Sequence, residues 1–93
     1  MLETFTLNIP ERGKAKIEFP RAILLKNIEI LAPVLKPCSI EIELKINGRR
    51  LIHGLYPKAR AASTSLKTSY LVDEIWVKNN QSSKICLRLV FVY

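Results

Sequence analysis

The sequence predicts an all-β domain: one antiparallel β-sandwich over residues 1–93, jelly-roll-like with seven to eight strands, an immunoglobulin-like sandwich being the alternative. Three observations lead there. Ile40-Glu41-Ile42-Glu43-Leu44-Lys45-Ile46 puts four aliphatics on one face and three charges on the other, the period of a strand whose successive side chains leave opposite faces. Asn47-Gly48 follows at once, a pair suited to the two positive-φ positions of a type I′ hairpin turn. Short stretches of the same period recur between polar turns along the whole chain, and none reads as a convincing helix.

The elements follow in order. Thr4 to Ile9 places Phe5, Leu7 and Ile9 on one side. Pro10-Glu11-Arg12-Gly13 is a turn, with Gly13 the residue suited to positive φ. Lys14 to Phe19 turns Ala15, Ile17 and Phe19 inward, and Pro20, lacking an N–H, is expected to close that strand. Ala22 to Ala32 is the most apolar segment. Its phase is mixed, because Ile23, Leu24 and Leu25 are consecutive while Ile28, Ile30 and Ala32 alternate. A β-bulge near Lys26-Asn27, or a strand crossing between sheets, accounts for this; β-branched residues and flanking prolines argue against a short helix.

Pro33 to Pro37 reads as a loop, and Cys38–Ile46 with Arg49–Tyr56 as the hairpin. Pro57 to Ser65 is the longest irregular stretch, with room for one helical turn at Ala59–Ala62. Leu66, Thr68, Tyr70 and Val72 resume the strand period. Glu74 to Lys78 is a short strand with Ile75 and Val77 opposite Trp76, and Asn79 to Ser83 is a polar turn. Ile85 to Tyr93 is the last strand. Its first face is apolar throughout, and the other (Cys86, Arg88, Val90, Val92) largely so, which marks a strand that is central or covered by another chain.

Composition narrows the function. Ninety-three residues make one domain with a modest core, and no apolar run is long enough to cross a bilayer as a helix. Met1-Leu2-Glu3-Thr4 carries no basic signal-peptide region, so the chain is expected in the cytoplasm of the producing cell or in an assembly such as a virion. The net charge is +7, and no acid falls between Leu44 and Val72, where Lys45, Arg49, Arg50, Lys58, Arg60 and Lys67 lie. Arg49, Arg50, Lys58, Arg60 and Lys67 are the candidate contacts for a polyanion, either nucleic acid or an acidic protein surface. A basic loop that merely keeps the domain soluble is the plainer reading.

The catalytic inventory is thin, and the chain is read as non-enzymatic, without cofactor or metal. The single histidine, His53, is in strand phase with Leu51 and Leu55 and reads as structural. A Cys38–His53 nucleophile and base pair across the hairpin lacks an orienting Asn or Asp. Glu41 and Glu43 share their face with Lys45, a solvated face rather than an acid/base pair. The three glycines are isolated, so no phosphate loop is present. Cys38 and Cys86 read as two small buried apolar residues, a disulfide between them being the alternative. Trp76 has two readings: exposed and in want of a partner if Ile75 and Val77 point inward, or itself the core residue if the phase is reversed.

The order of parts resembles small all-β structural proteins of bacteriophages and viruses. A threonine-containing first strand leads to Phe19-Pro20 and the aliphatic run Ala22 to Ile30. The Asn47-Gly48 hairpin and a Ser/Thr loop follow, and Tyr70 to Asn79 precedes a long last strand. The resemblance implies a capsid-decorating, head-fibre or tail protein that self-associates and contacts other structural proteins. A nucleic-acid-binding β-module is the second reading and a carbohydrate-binding module the third, the latter with Trp76, Tyr56 and Tyr70 as its available aromatics.

Overall fold

A computed structural model describes residues 1–93. Six strands account for most of the chain: β1 (Leu2–Ile9), β2 (Lys14–Leu35), β3 (Ile40–Ile46), β4 (Arg49–Tyr56), β5 (Ala61–Asn79) and β6 (Ile85–Val92). They form one antiparallel sheet in the order β1-β6-β2-β5-β3-β4. The eight expected segments are all extended, but two strands carry four of them. β2, 22 residues long, runs through both Lys14–Phe19 and Ala22–Ala32; β5, 19 residues long, runs through Leu66–Val72 and Glu74–Lys78.

Pro20 therefore ends a ladder rather than a strand. The β2–β5 register breaks between Glu18 and Ile23, where four residues of β2 stand opposite Asp73 alone, and a residue without an N–H is tolerated where no ladder bond is asked of it. The bulge expected near Lys26-Asn27 is present: Leu25 faces Tyr70 and Asn27 faces Lys67. Its extra residue lies on β5, where the Tyr70 N–H donates to Thr68 Oγ1 at 3.3 Å. Pro33 and Val34 belong to β2, which ends only at Leu35, so the expected loop shrinks to the turn before β3. No helical turn forms at Ala59–Ala62, because β5 already begins at Ala61, paired with Leu35.

The Asn47-Gly48 turn has the expected form, with φ of 50° and 76°. The first turn differs from expectation. Arg12, not Gly13, takes the positive φ, at 58°. Gly13 is required for closeness instead: a Cβ there would lie 2.7 Å from the Pro10 ring.

Sixteen buried apolar residues form one core cluster, drawn from every strand but β4. β4 lends the half-buried Leu51, Ile52 and Tyr56. Phe91 is fully buried, with the Phe5 and Phe19 rings 5.3 and 5.9 Å away. β6 lies inside the sheet between β1 and β2, as its apolar character implied. With Ile85, Leu87, Leu89 and Phe91 turned inward, Cys86 and Arg88 are exposed on the other side. That phase corrects the cysteine reading. Both thiols are free and exposed, Cys86 on the open side of β6 and Cys38 in the turn before β3.

One buried amide ties the end of the fold together. Asn79, fully buried, donates from Nδ2 to the carbonyls of Ile9, Pro10 and Ser83 at 3.2, 3.1 and 2.8 Å and accepts the Gln81 N–H at 2.9 Å. It closes β5 and joins the turn after β1 to the turn before β6. Asn79→Ala leaves these groups unpaired, and a loss of about 2–3 kcal/mol is expected in urea unfolding. A loss under about 0.5 kcal/mol would mean that water replaces the amide freely.

Candidate functional site

The outward face of β2, β5, β3 and β4 is a grid set by ladder register. Lys14, Lys78, Glu41 and Leu55 form one row across the four strands. Lys16, Trp76, Glu43 and His53 form the next, and Glu18, Glu74, Lys45 and Arg50 the third. Opposed residues in neighbouring strands touch, and diagonal ones reach each other when long. Ile75 and Val77 are buried, so the indole of Trp76 stands on this outer face, half-exposed; the first of its two readings holds.

The charges are arranged around that indole. The ammonium groups of Lys16, Lys45 and Lys14 lie 5.4, 5.6 and 5.7 Å from the ring centroid, within the range of cation–π attraction. Trp76 Nε1 donates to Glu74 Oε1. Glu43 is bridged by Lys45 at 3.1 Å and Arg50 at 3.0 Å, Glu18 by Lys16 at 2.5 Å, and Glu41 by His53 Nε2. These pairs fix side-chain positions more than they stabilise the fold. Lys14, Glu41, Glu43, Lys45, Trp76 and Lys78 line a cleft of about 110 Å³.

Glu41 and Glu43, expected to form a merely solvated face, are half-buried walls of this cleft. The hydrogen bond with His53 holds the Glu41 carboxyl below the usual carboxylate range, with Lys78 adding to it. At Glu43 burial pushes the pKa up, but Lys45 and Arg50 together outweigh it, and the net direction is down. A carboxyl depressed in the folded state adds stability above its unfolded pKa, near 4.5 for Glu41, and loses it as pH falls through the lower folded value. The melting temperature of the wild type should therefore exceed that of Glu41→Gln at about pH 6, the gap closing as pH falls below about 4.5. A gap that keeps its full size as pH falls from about 4.5 to about 2 would show that the ionised Glu41 is not its source.

The basic residues singled out from sequence are not gathered. Arg49 and Arg50 sit at the hairpin tip, where the Asn47 N–H donates to Asp73 Oδ2 at 3.0 Å, and Arg50 is occupied by Glu43. Lys58 and Arg60 lie beyond the other end of β4, about 23 Å away at the rise of an extended chain. Lys67 faces outward from the other half of β5, in a row with Leu2, Val92 and Asn27. A single basic platform over these five is not what the fold builds. Nor do the aromatics form a row: Tyr56 packs over Gly54 toward the core, and Tyr70 is exposed at the bend of β5. His53 engages Glu41 and stands opposite Glu43 in the β3–β4 ladder, while Cys38 precedes Ile40, which faces Tyr56 at the far end of that ladder, so the two do not make a nucleophile and base pair.

No family model matches this chain, and no curated protein matches it in sequence. Solved structures do match in fold. A low-affinity xylan-binding module from the gut symbiont Roseburia intestinalis aligns over 99% of this chain and 95% of its own, with TM-score 0.63 and 8% identity. A mitogen derived from Yersinia pseudotuberculosis aligns over 99% and 85%, with TM-score 0.55 and 14% identity. The core of Drosophila NLP, described for pentamer formation and histone binding, aligns over 97% and 96%, with TM-score 0.50 and 7% identity. At these identities the likeness is one of fold. The roles of the three differ, and a fold of this kind carries many functions.

Proposed function

We propose that the chain is a non-enzymatic binding module that takes a saccharide on the Trp76 face. The carrying observation is the half-exposed indole in a cleft walled by carboxylates and ammonium groups. A flat aromatic surface beside fixed donors and acceptors suits a sugar ring, which has an apolar face and a polar rim. The fold shared with a xylan-binding module supports this reading. So does the shape we infer for the sheet. The two halves of the β2–β5 ladder are extended on different sides, β3 pairing with β5 over Glu74–Asn79 and carrying β4 beyond it, β6 pairing with β2 over Asn27–Leu31 and carrying β1 beyond it, around a single core. We take this as a sheet folded onto itself, a two-layer sandwich of paired half-strands with the cleft on one outer face.

Trp76 is the only tryptophan, so its fluorescence reports on the site directly. Titration with neutral and acidic polysaccharides is expected to change its intensity and wavelength saturably with at least one of them. Silence across such a panel would remove the saccharide reading.

Self-association within a larger assembly, a virion included, is a second reading favoured by a different observation. Leu24 and Leu71 stand opposite each other at the bend, 48% and 56% exposed, with Tyr70 beside them at 45%. Exposed apolar groups that adjoin in this way suit contact with another copy. Sedimentation equilibrium showing a monomer at all concentrations would exclude it.

A further inference from the structure

Within the first row of the outer face, Lys14 and Lys78 stand directly opposite each other in the β2–β5 ladder. Like charges so placed oppose pairing. The glutamates of the face relieve them only in part: Glu41, opposite Lys78, attracts it without bridging it and is bonded to His53, while Glu18 is bridged by Lys16, Glu43 by Lys45 and Arg50, and Glu74 accepts from the indole N–H. Neither Lys14 nor Lys78 forms a salt bridge, and both line the cleft that holds Trp76. Glu41 and Glu43 close the β3 side of that cleft to an anion. The β2 side is open, because residues 14–18 pair with β5 alone and leave a free edge.

We infer that the saccharide taken by this cleft is an acidic one. Its anionic group, a uronic carboxylate or a sulfate ester, lies between Lys14 and Lys78 while a sugar ring lies against Trp76. The inference rests on the saccharide reading of the same cleft. Two ammonium groups offer six N–H donors to one anion, and the ligand removes the repulsion that the ladder otherwise carries. The carboxylates opposite set its direction, with the charge toward β2 and the neutral hydroxyls toward Glu41 and Glu43.

The test is calorimetric titration of the full chain at low salt with tetragalacturonate, its carboxyl-reduced counterpart, a sulfated tetrasaccharide and an oligothymidylate. An anionic saccharide is expected to bind about tenfold tighter than the reduced form. Preference for the carboxylate or the sulfate arm identifies the group. In Lys14→Gln/Lys78→Gln, whose folding is checked by its melting temperature, that preference is expected to vanish. Equal binding of charged and reduced forms, or a preference that survives the double substitution, would overturn the inference and leave the saccharide reading standing. Absence of binding by every saccharide would end both. Tighter binding of the oligothymidylate, lost in the double variant, would overturn it in favour of single-stranded nucleic acid.

Discussion

Trp76→Ala is expected to lower saccharide affinity by roughly thirtyfold to a thousandfold, the range of about 2–4 kcal/mol typical of an aromatic at the centre of a contact. The indole is the only Phe, Tyr or Trp ring in the three rows, and the other ring among them, His53, is held by Glu41. Stability is expected to change little, because Trp76 stands outside the core on the face opposite Ile75 and Val77. The substitution removes the fluorescent reporter, so calorimetry or affinity electrophoresis is the measurement. Trp76→Phe keeps a flat ring but loses the hydrogen bond to Glu74, and intermediate affinity is expected. Wild-type affinity in the alanine variant would place the ligand elsewhere on the molecule.

The largest effect on stability is expected from Phe91→Ala. The ring is fully buried, lies between Phe5 and Phe19, and belongs to the interior strand β6. Its removal costs about 3–5 kcal/mol, because lost burial adds to a cavity that a close-packed core refills only in part. A domain of this length has roughly 5–14 kcal/mol in total, so the variant retains a narrow margin. The melting temperature should fall by on the order of 20 °C. Phe91→Leu keeps most of the volume and is expected to lose much less. A loss under about 1 kcal/mol in the alanine variant would mean that Phe5 and Phe19 collapse into the space.

Local features of the fold were legible because they depend on near neighbours. The alternation of Ile40 to Ile46 and the Asn47-Gly48 turn fix a hairpin whatever surrounds it. The mixed phase of Ile23 to Asn27 announced a bulge, although not that β5 supplies its extra residue. The site was legible only in part. Ile75 and Val77 left two phases open for Trp76, and burial of those two aliphatics decided between them. Lys14 and Lys78 escaped notice because their adjacency is a matter of register between strands far apart in the chain. Glu41 and Glu43 looked solvated because nothing nearby in sequence says that β5 lies against β3. The basic run from Arg49 to Lys67 misled for a different reason. Its five cations are candidates by lack of acids between them, and an extended strand carries its two ends far apart. Cys86 is turned outward by the phase that Ile85 and Leu87 set for β6, and Cys38 is exposed because it stands in the turn before β3.

The place of β6 between β1 and β2 bears on how the molecule is made. β1 leaves the ribosome before the other five strands, yet its ladder partner β6 leaves after them, Leu2 pairing with Val92 and Ile9 with Ile85. Until β6 emerges, Phe5, Leu7 and Ile9 have no ladder partner beside them. The nascent chain therefore carries a greasy, unzipped margin until all six strands are out. Closure of the sheet is set by the meeting of β1 and β6, a long-range pairing that slows folding in β proteins.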